Sequence, residues 1–119
     1  MAIITMKPLL AEGIELFNTG RYWDAHEVWE REWTPDRHGP DSRFYKGLIQ
    51  IAAGCLHYGR RNRRGAVSKW RGGSDYLRPY PPAHMGVRLA PLVAALDGYL
   101  AAMADPAWPE LTMPVITYE

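Results

Sequence analysis

The sequence predicts an all-α fold: a compact bundle of two antiparallel helical hairpins with a fifth helix and an extended C-terminal tail. Three observations predict it. Apolar residues recur at helical spacing in successive segments, and no stretch carries the strict alternation of a half-buried strand. Short clusters of turn formers separate those segments, which makes neighbouring helices antiparallel. The first pair of segments also returns in the second pair: Gly13, Ala25 and Trp29 recur as Gly54, Ala66 and Trp70, each 41 positions on, with Phe17 matched by Tyr58 and Leu10 by Ile51.

The elements follow in order. Pro8 suits the first position of a helix, and Leu9, Leu10, Gly13, Ile14, Leu16 and Phe17 carry its apolar face until Asn18-Thr19-Gly20 stops it. Tyr22 to Trp33 reads as a second helix of about three turns, folded back on the first. Its Tyr22, His26, Trp29 and Trp33 share one face, with Glu30 four residues after His26. Thr34 to Asp41 is dense in turn formers and reads as a loop. Asp41 or Ser42 caps a third helix that runs to about Arg61, apolar nearly all round between residues 47 and 56, so it is the expected spine of the core. Gly47 and Gly54 leave one of its faces bare for close approach of a neighbour. Asn62 opens a fourth helix through Ala66, Val67 and Trp70, which Gly72-Gly73 should weaken. Pro79 to Pro82 should run extended, and a fifth helix is expected from about Leu89 to Met103. Beyond Asp105 three prolines make the tail irregular, yet Trp108, Leu111, Val115 and Ile116 are too apolar to float free. A docked tail over 105–119 is expected on a single domain with its core at about 8–104.

Composition narrows the functional classes. A chain of 119 residues, 47% hydrophobic and 23% charged, has the make-up of an ordinary soluble globule. A formal net charge of +1 gives no overall pull toward nucleic acid or membrane. The single cysteine, Cys55, has no internal disulfide partner and reads as a core residue in a reducing compartment. Met1 to Lys7 lacks the features of an export signal, and no apolar run approaches the roughly 20 residues of a membrane span. A cytoplasmic location is the expectation.

Chemistry concentrates in two places. His26 with Glu27 and Glu30 forms His-Glu-x-x-Glu, which lacks the second histidine of the zinc-protease pattern. Lys46, Gln50, Ala53 and His57 share a face of the third helix; where that face meets the second helix, Gln50 and His57 join His26, Glu27 and Glu30. The set reads as a buried polar network between the hairpins, as a cleft for a small ligand or partner protein, or as a divalent-metal site with His26, Glu30 and His57 as ligands and Glu27 as general base. The second place is the basic run Arg60, Arg61, Arg63 and Arg64, continued by Lys69 and Arg71. It suits phosphates of a nucleic acid, or else caps the third helix and pairs with the acidic second helix. His38 and His84 sit in Pro/Gly-rich loops and read as surface histidines.

Two resemblances follow from these residues. The small, small, aromatic spacing over paired helices is similar to the tetratricopeptide helical hairpin. The segment from Phe17 to Glu30 with its Ala25-His26-Glu27 core, then Trp33, the Phe44 to Ala53 segment with Gly47-Leu48-Ile49-Gln50, and His57 with Asn62 to Ala66, resembles the domain of unknown function 309 family over roughly residues 10–100. The resemblance implies a small all-α bacterial or archaeal domain with no established activity. Its motif positions fall here on Asn18, Gly20, His26, Glu27, Glu30, Trp33, Gly47, Gln50 and His57. Gly72-Gly73 departs from the regular helix the family implies.

Overall fold

The computed structural model describes residues 6–119; residues 1–5, on which the export-signal reading partly rests, lie outside the described residues. Among the described residues five α-helices follow in order: α1 (Pro8–Asn18), α2 (Tyr22–Trp33), α3 (Ser42–Gly59), α4 (Arg63–Leu77) and α5 (Ala90–Met103). Each helix packs chiefly on the next in sequence, α3 against both α2 and α4. The all-α expectation therefore holds. No helix among the described residues is long and apolar enough to cross a membrane.

The core forms where the apolar stripes meet. Leu10, Ile14 and Phe17 of α1, Trp29 of α2, Leu48, Ile51 and Cys55 of α3, Trp70 and Leu77 of α4, and Leu96 of α5 are all buried. The two hairpins repeat one packing device. A side chain at Gly13 would enter the Trp29 indole, and one at Gly54 would enter the Trp70 indole. The aromatic matched by the 41-residue offset sits on each indole in nearly the same way: Phe17 lies 6.0 Å from Trp29 at 36°, Tyr58 lies 5.8 Å from Trp70 at 33°. The recurrence is thus a repeat of contacts as well as of letters.

Several expectations change. α4 runs unbroken through Gly72-Gly73, because Gly73 brings the two backbones together: a Cβ there would lie 2.7 Å from Ile51 Cγ1 and 3.1 Å from the Gly47 carbonyl oxygen. The propensity lost at the glycine is offset by α3–α4 packing. The loop after α2 begins with a 3-10 turn, Thr34–Asp36. The segment after Pro82, read without strands, folds as a two-stranded antiparallel hairpin, β1 (Ala83–His84) and β2 (Val87–Arg88). Its turn needs positive φ at both central residues, which Met85 (52°) and Gly86 (81°) supply. In the tail Ile116 is buried, Trp108 and Leu111 pack against the core, and Val115 is exposed.

Candidate functional site

α2 and α3 run antiparallel. Trp33 Nε1 donates to Ser42 Oγ at 3.1 Å and Lys46 Nζ stands 4.7 Å from the Trp33 ring centre, so the C-terminal end of α2 meets the N-terminal end of α3. α4 runs antiparallel on the other flank of α3: Gly47 meets Leu77, Gly54 meets Trp70 and Gly65 meets His57. Lys46, Gln50, Ala53 and His57 are all half-buried and lie on the arc of α3 between its α2-facing and α4-facing sides. Lys46 reaches Trp33 of α2, whereas Gln50 and His57 lie against Gly72 and Gly65 of α4.

On α2 His26 and Glu30 form an i, i+4 pair, Nε2 to Oε2 at 3.8 Å, with side chains 22% and 48% exposed. Trp23, missed as a site residue, stacks on the His26 ring at 5.1 Å and 19° while remaining 55% exposed. The i, i+3 spacing of Trp23 and His26 was the available signal. His26 Nδ1 is buried without a hydrogen-bond partner, a group whose desolvation costs about 1–3 kcal/mol. Glu27 is exposed and lines a shallow groove of about 490 Å³ with Glu30, Arg31, Thr34 and Pro35.

The α3 residues turn toward α4. Gln50 Oε1 sits against Gly72, where a Cβ would be 3.4 Å away. The His57 ring lies over Gly65, and His57 Nδ1 is 3.1 Å from Asn62 Nδ2. Asn62 caps α4 by accepting the Gly65 N–H at Oδ1, 3.0 Å, which fixes the amide orientation and makes Nδ2 the donor to His57. A neutral His57 therefore carries its proton on Nε2. The contacts of the set divide in two: His26 pairs with Glu30 on α2, while Gln50 and His57 lie against Gly72 and Gly65 of α4. Among the described residues no three His, Cys, Asp or Glu side chains converge where a metal ion could sit, the His26, Glu30 and His57 set included.

The basic run is also redistributed. Arg61 stands over Trp108 and 3.7 Å from Glu110, and Arg63 donates to the carbonyls of Met103, Asp105, Pro106 and Ala107. These two cations hold the tail rather than pairing with α2. Arg60 and Arg64 are exposed, and Arg64 lines a groove of about 720 Å³ on the outer face of α4 with Val67, Ser68, Arg71 and Asp75. Ser68, Arg71, Gly72 and Asp75 of this groove match Glu27, Glu30, Arg31 and Thr34 at the 41-residue offset. Equivalent outer faces of the two hairpins thus differ in charge.

A histidine set aside as a loop residue is tied down. His84 Nε2 lies 2.9 Å from Asp41 Oδ1, and the ring packs on Phe44 and Tyr80. The nearby Tyr45 hydroxyl is buried without a partner, and burial, then Glu32, Asp41 and Asp36, push its pKa up. Burial pushes the Cys55 thiol up to about 12, which leaves it a neutral core group.

Over residues 10–68 the chain belongs to the family whose model is described as Domain of unknown function (DUF309). That stretch contains every motif position from Asn18 to His57 and ends within α4, before the β-hairpin, α5 and the tail. No curated protein matches the chain.

Proposed function

We propose that this chain is a binding domain that takes a partner protein on the exposed surface of α2, with Trp23 as the anchor and His26 and Glu30 as the polar pair beside it. The Trp23–His26 stack carries the reading. A tryptophan left 55% exposed keeps a large apolar surface in water, and such side chains dominate binding energy when a partner covers them. Stacking on His26 holds the indole in place before contact, which lowers the ordering cost of binding. The neighbouring grooves run along the outer faces of α2 and α4 and are shallow, which favours a protein surface over an enclosed small molecule. Two hairpins in tandem, similar to tetratricopeptide units, also suit an interaction role by architecture.

The test compares the wild-type chain with Trp23→Ala and His26→Ala as baits. Partners retained by the wild type should weaken about 30-fold or more with Trp23→Ala, the loss of a hot spot of about 2 kcal/mol. Equal retention by all three chains would remove the reading.

The other two readings have less support. A metal-dependent hydrolase needs a third donor beside His26 and Glu30. Metal analysis of untagged protein beside a His26→Ala/Glu30→Ala variant tests it: an ion lost on mutation would restore it. A nucleic-acid role rests on Arg60, Arg64, Lys69 and Arg71, since Arg61 and Arg63 are engaged by the tail. It requires oligonucleotide binding that weakens with salt and is lost when those four become alanine.

A further inference from the structure

The segment after α5 is held largely through its backbone. The Tyr58 hydroxyl donates to the Pro109 carbonyl at 2.7 Å and accepts the Leu111 N–H at 2.7 Å. Tyr99 donates to the Thr112 carbonyl at 2.6 Å. Asn18 reads both backbone groups of Ile116, donating to its carbonyl at 2.9 Å and accepting its N–H at 2.8 Å. An amide that pairs with the N–H and C=O of one residue grips an extended chain whatever side chain that residue carries. Side-chain seats add register: Trp108 stacks on Tyr58 at 5.0 Å and 22°, and Ile116 is buried. The helices build the seat, and the tail fills it.

We propose that this face is an extended-peptide groove in which segment 105–119 is an exchangeable occupant, and that the partner it fits is the same segment of a second copy. Each backbone contact would be kept unchanged if the tail came from another molecule. The linking residues Ala104, Asp105, Pro106 and Ala107 are all exposed, so redirecting them uncovers no core. Exchange of an identical element at such a joint is the low-cost route to a dimer. Arg63, which grips the carbonyls of that joint, holds the tail on its own bundle.

The experiment uses full-length chains and a labelled synthetic peptide of residues 105–119. In the wild type the tethered tail competes at an effective concentration of about 1 mM, so uptake of the peptide is weak. Trp108→Ala weakens the resident tail and leaves the groove intact, so this chain should bind the peptide about tenfold more tightly by fluorescence anisotropy. Asn18→Ala weakens the groove and leaves the tail intact. Mixing the two variants should then give a one-to-one dimer by light scattering that neither forms alone. Peptide uptake without the mixed dimer overturns the second copy as occupant. Neither uptake nor dimer, with both chains folded by circular dichroism, overturns the groove itself. Ile116→Ala replaces Trp108→Ala if the latter unfolds, and unfolding of both would make the tail an inseparable part of the core and end the proposal.

Discussion

At the scale of single residues, the helix pairs are set by side chains that are missing. Gly13 and Gly54 each lie beneath an indole, so a single methyl group at either forces apart a packed pair. Gly13→Ala and Gly54→Ala should each lower stability by about 1–3 kcal/mol through overpacking. Gly98 provides the contrast, exposed on α5 with nothing within 4 Å of an added Cβ. Gly98→Ala should raise stability by up to about 1 kcal/mol through helix propensity alone. Urea unfolding of the three variants checks the pattern, and a Gly54→Ala chain as stable as the wild type would contradict it. Cys55 gives a pH test. Its thiol has an ordinary value of 9.0 and is held at about 12 in the fold. Above pH 9 the unfolded chain loses this proton and the folded chain keeps it, so stability is present below pH 9 and falls as pH rises toward 12. The slope is about 1.4 kcal/mol per pH unit over that window. Tyr99, raised from 10.0 to about 12 chiefly by burial, works in the same direction at the upper end. Urea midpoints between pH 8 and 10.5 should fall more gently in Cys55→Ala than in the wild type.

At the scale of elements, long periodic helices were readable and short paired segments were not. α2 matches its expected bounds because aromatic and small residues hold one face for its whole length, with Gly20 before it and Pro35 after it. The β-hairpin escaped because Ala83-His84 and Val87-Arg88 are too short to show alternation and Met85-Gly86 is not a standard turn pair. The continuity of α4 escaped for a different reason: Gly73 is unfavourable locally and required by contact with Ile51 and Gly47 on α3. The Lys46, Gln50, Ala53, His57 stripe was legible as one face, and all four residues are half-buried. What spacing could not supply was which neighbour each side chain meets: Gln50 lies against Gly72 and His57 against Gly65, both on α4. Asn62 binds two consequences together. Asn62→Ala should cost about 1 kcal/mol by removing the α4 cap, and it should also free His57 Nδ1. Nitrogen chemical shifts of His57 should report a proton on Nε2 in the wild type and a mixture of tautomers in the variant. An unchanged tautomer would show that Asn62 does not set it.

At the scale of the whole molecule, the repeat explains the first four helices and the tail explains how they are joined to the rest. α1 to α4 pack by contacts between neighbours in sequence, as in a helical array, and such arrays leave their terminal faces open. Here the chain closes on itself: residue 116 returns to residue 18, Arg88 N–H donates to the Thr117 carbonyl, and Glu119 N–H donates to the Gly86 carbonyl. Ile116 could be read in advance as too apolar for solvent, but Asn18 carried no sign of a partner 98 positions away. The closure predicts how the molecule opens. Asn18→Ala leaves two backbone groups of Ile116 unpaired and should cost about 1–3 kcal/mol. Because the tail is joined to α5 only through exposed residues, the loss should appear as local opening before global unfolding. Amide hydrogen exchange should therefore quicken at Ile116, Arg88 and Glu119 in Asn18→Ala, while amides of the buried α3 residues Leu48, Ile51 and Ala52 keep wild-type protection. Equal acceleration at α3 and in the tail would mean that bundle and tail unfold as one unit. The separation expected here follows from what holds each part: extensive apolar packing between the helices, against a few backbone hydrogen bonds and the seats of Trp108 and Ile116 for the tail.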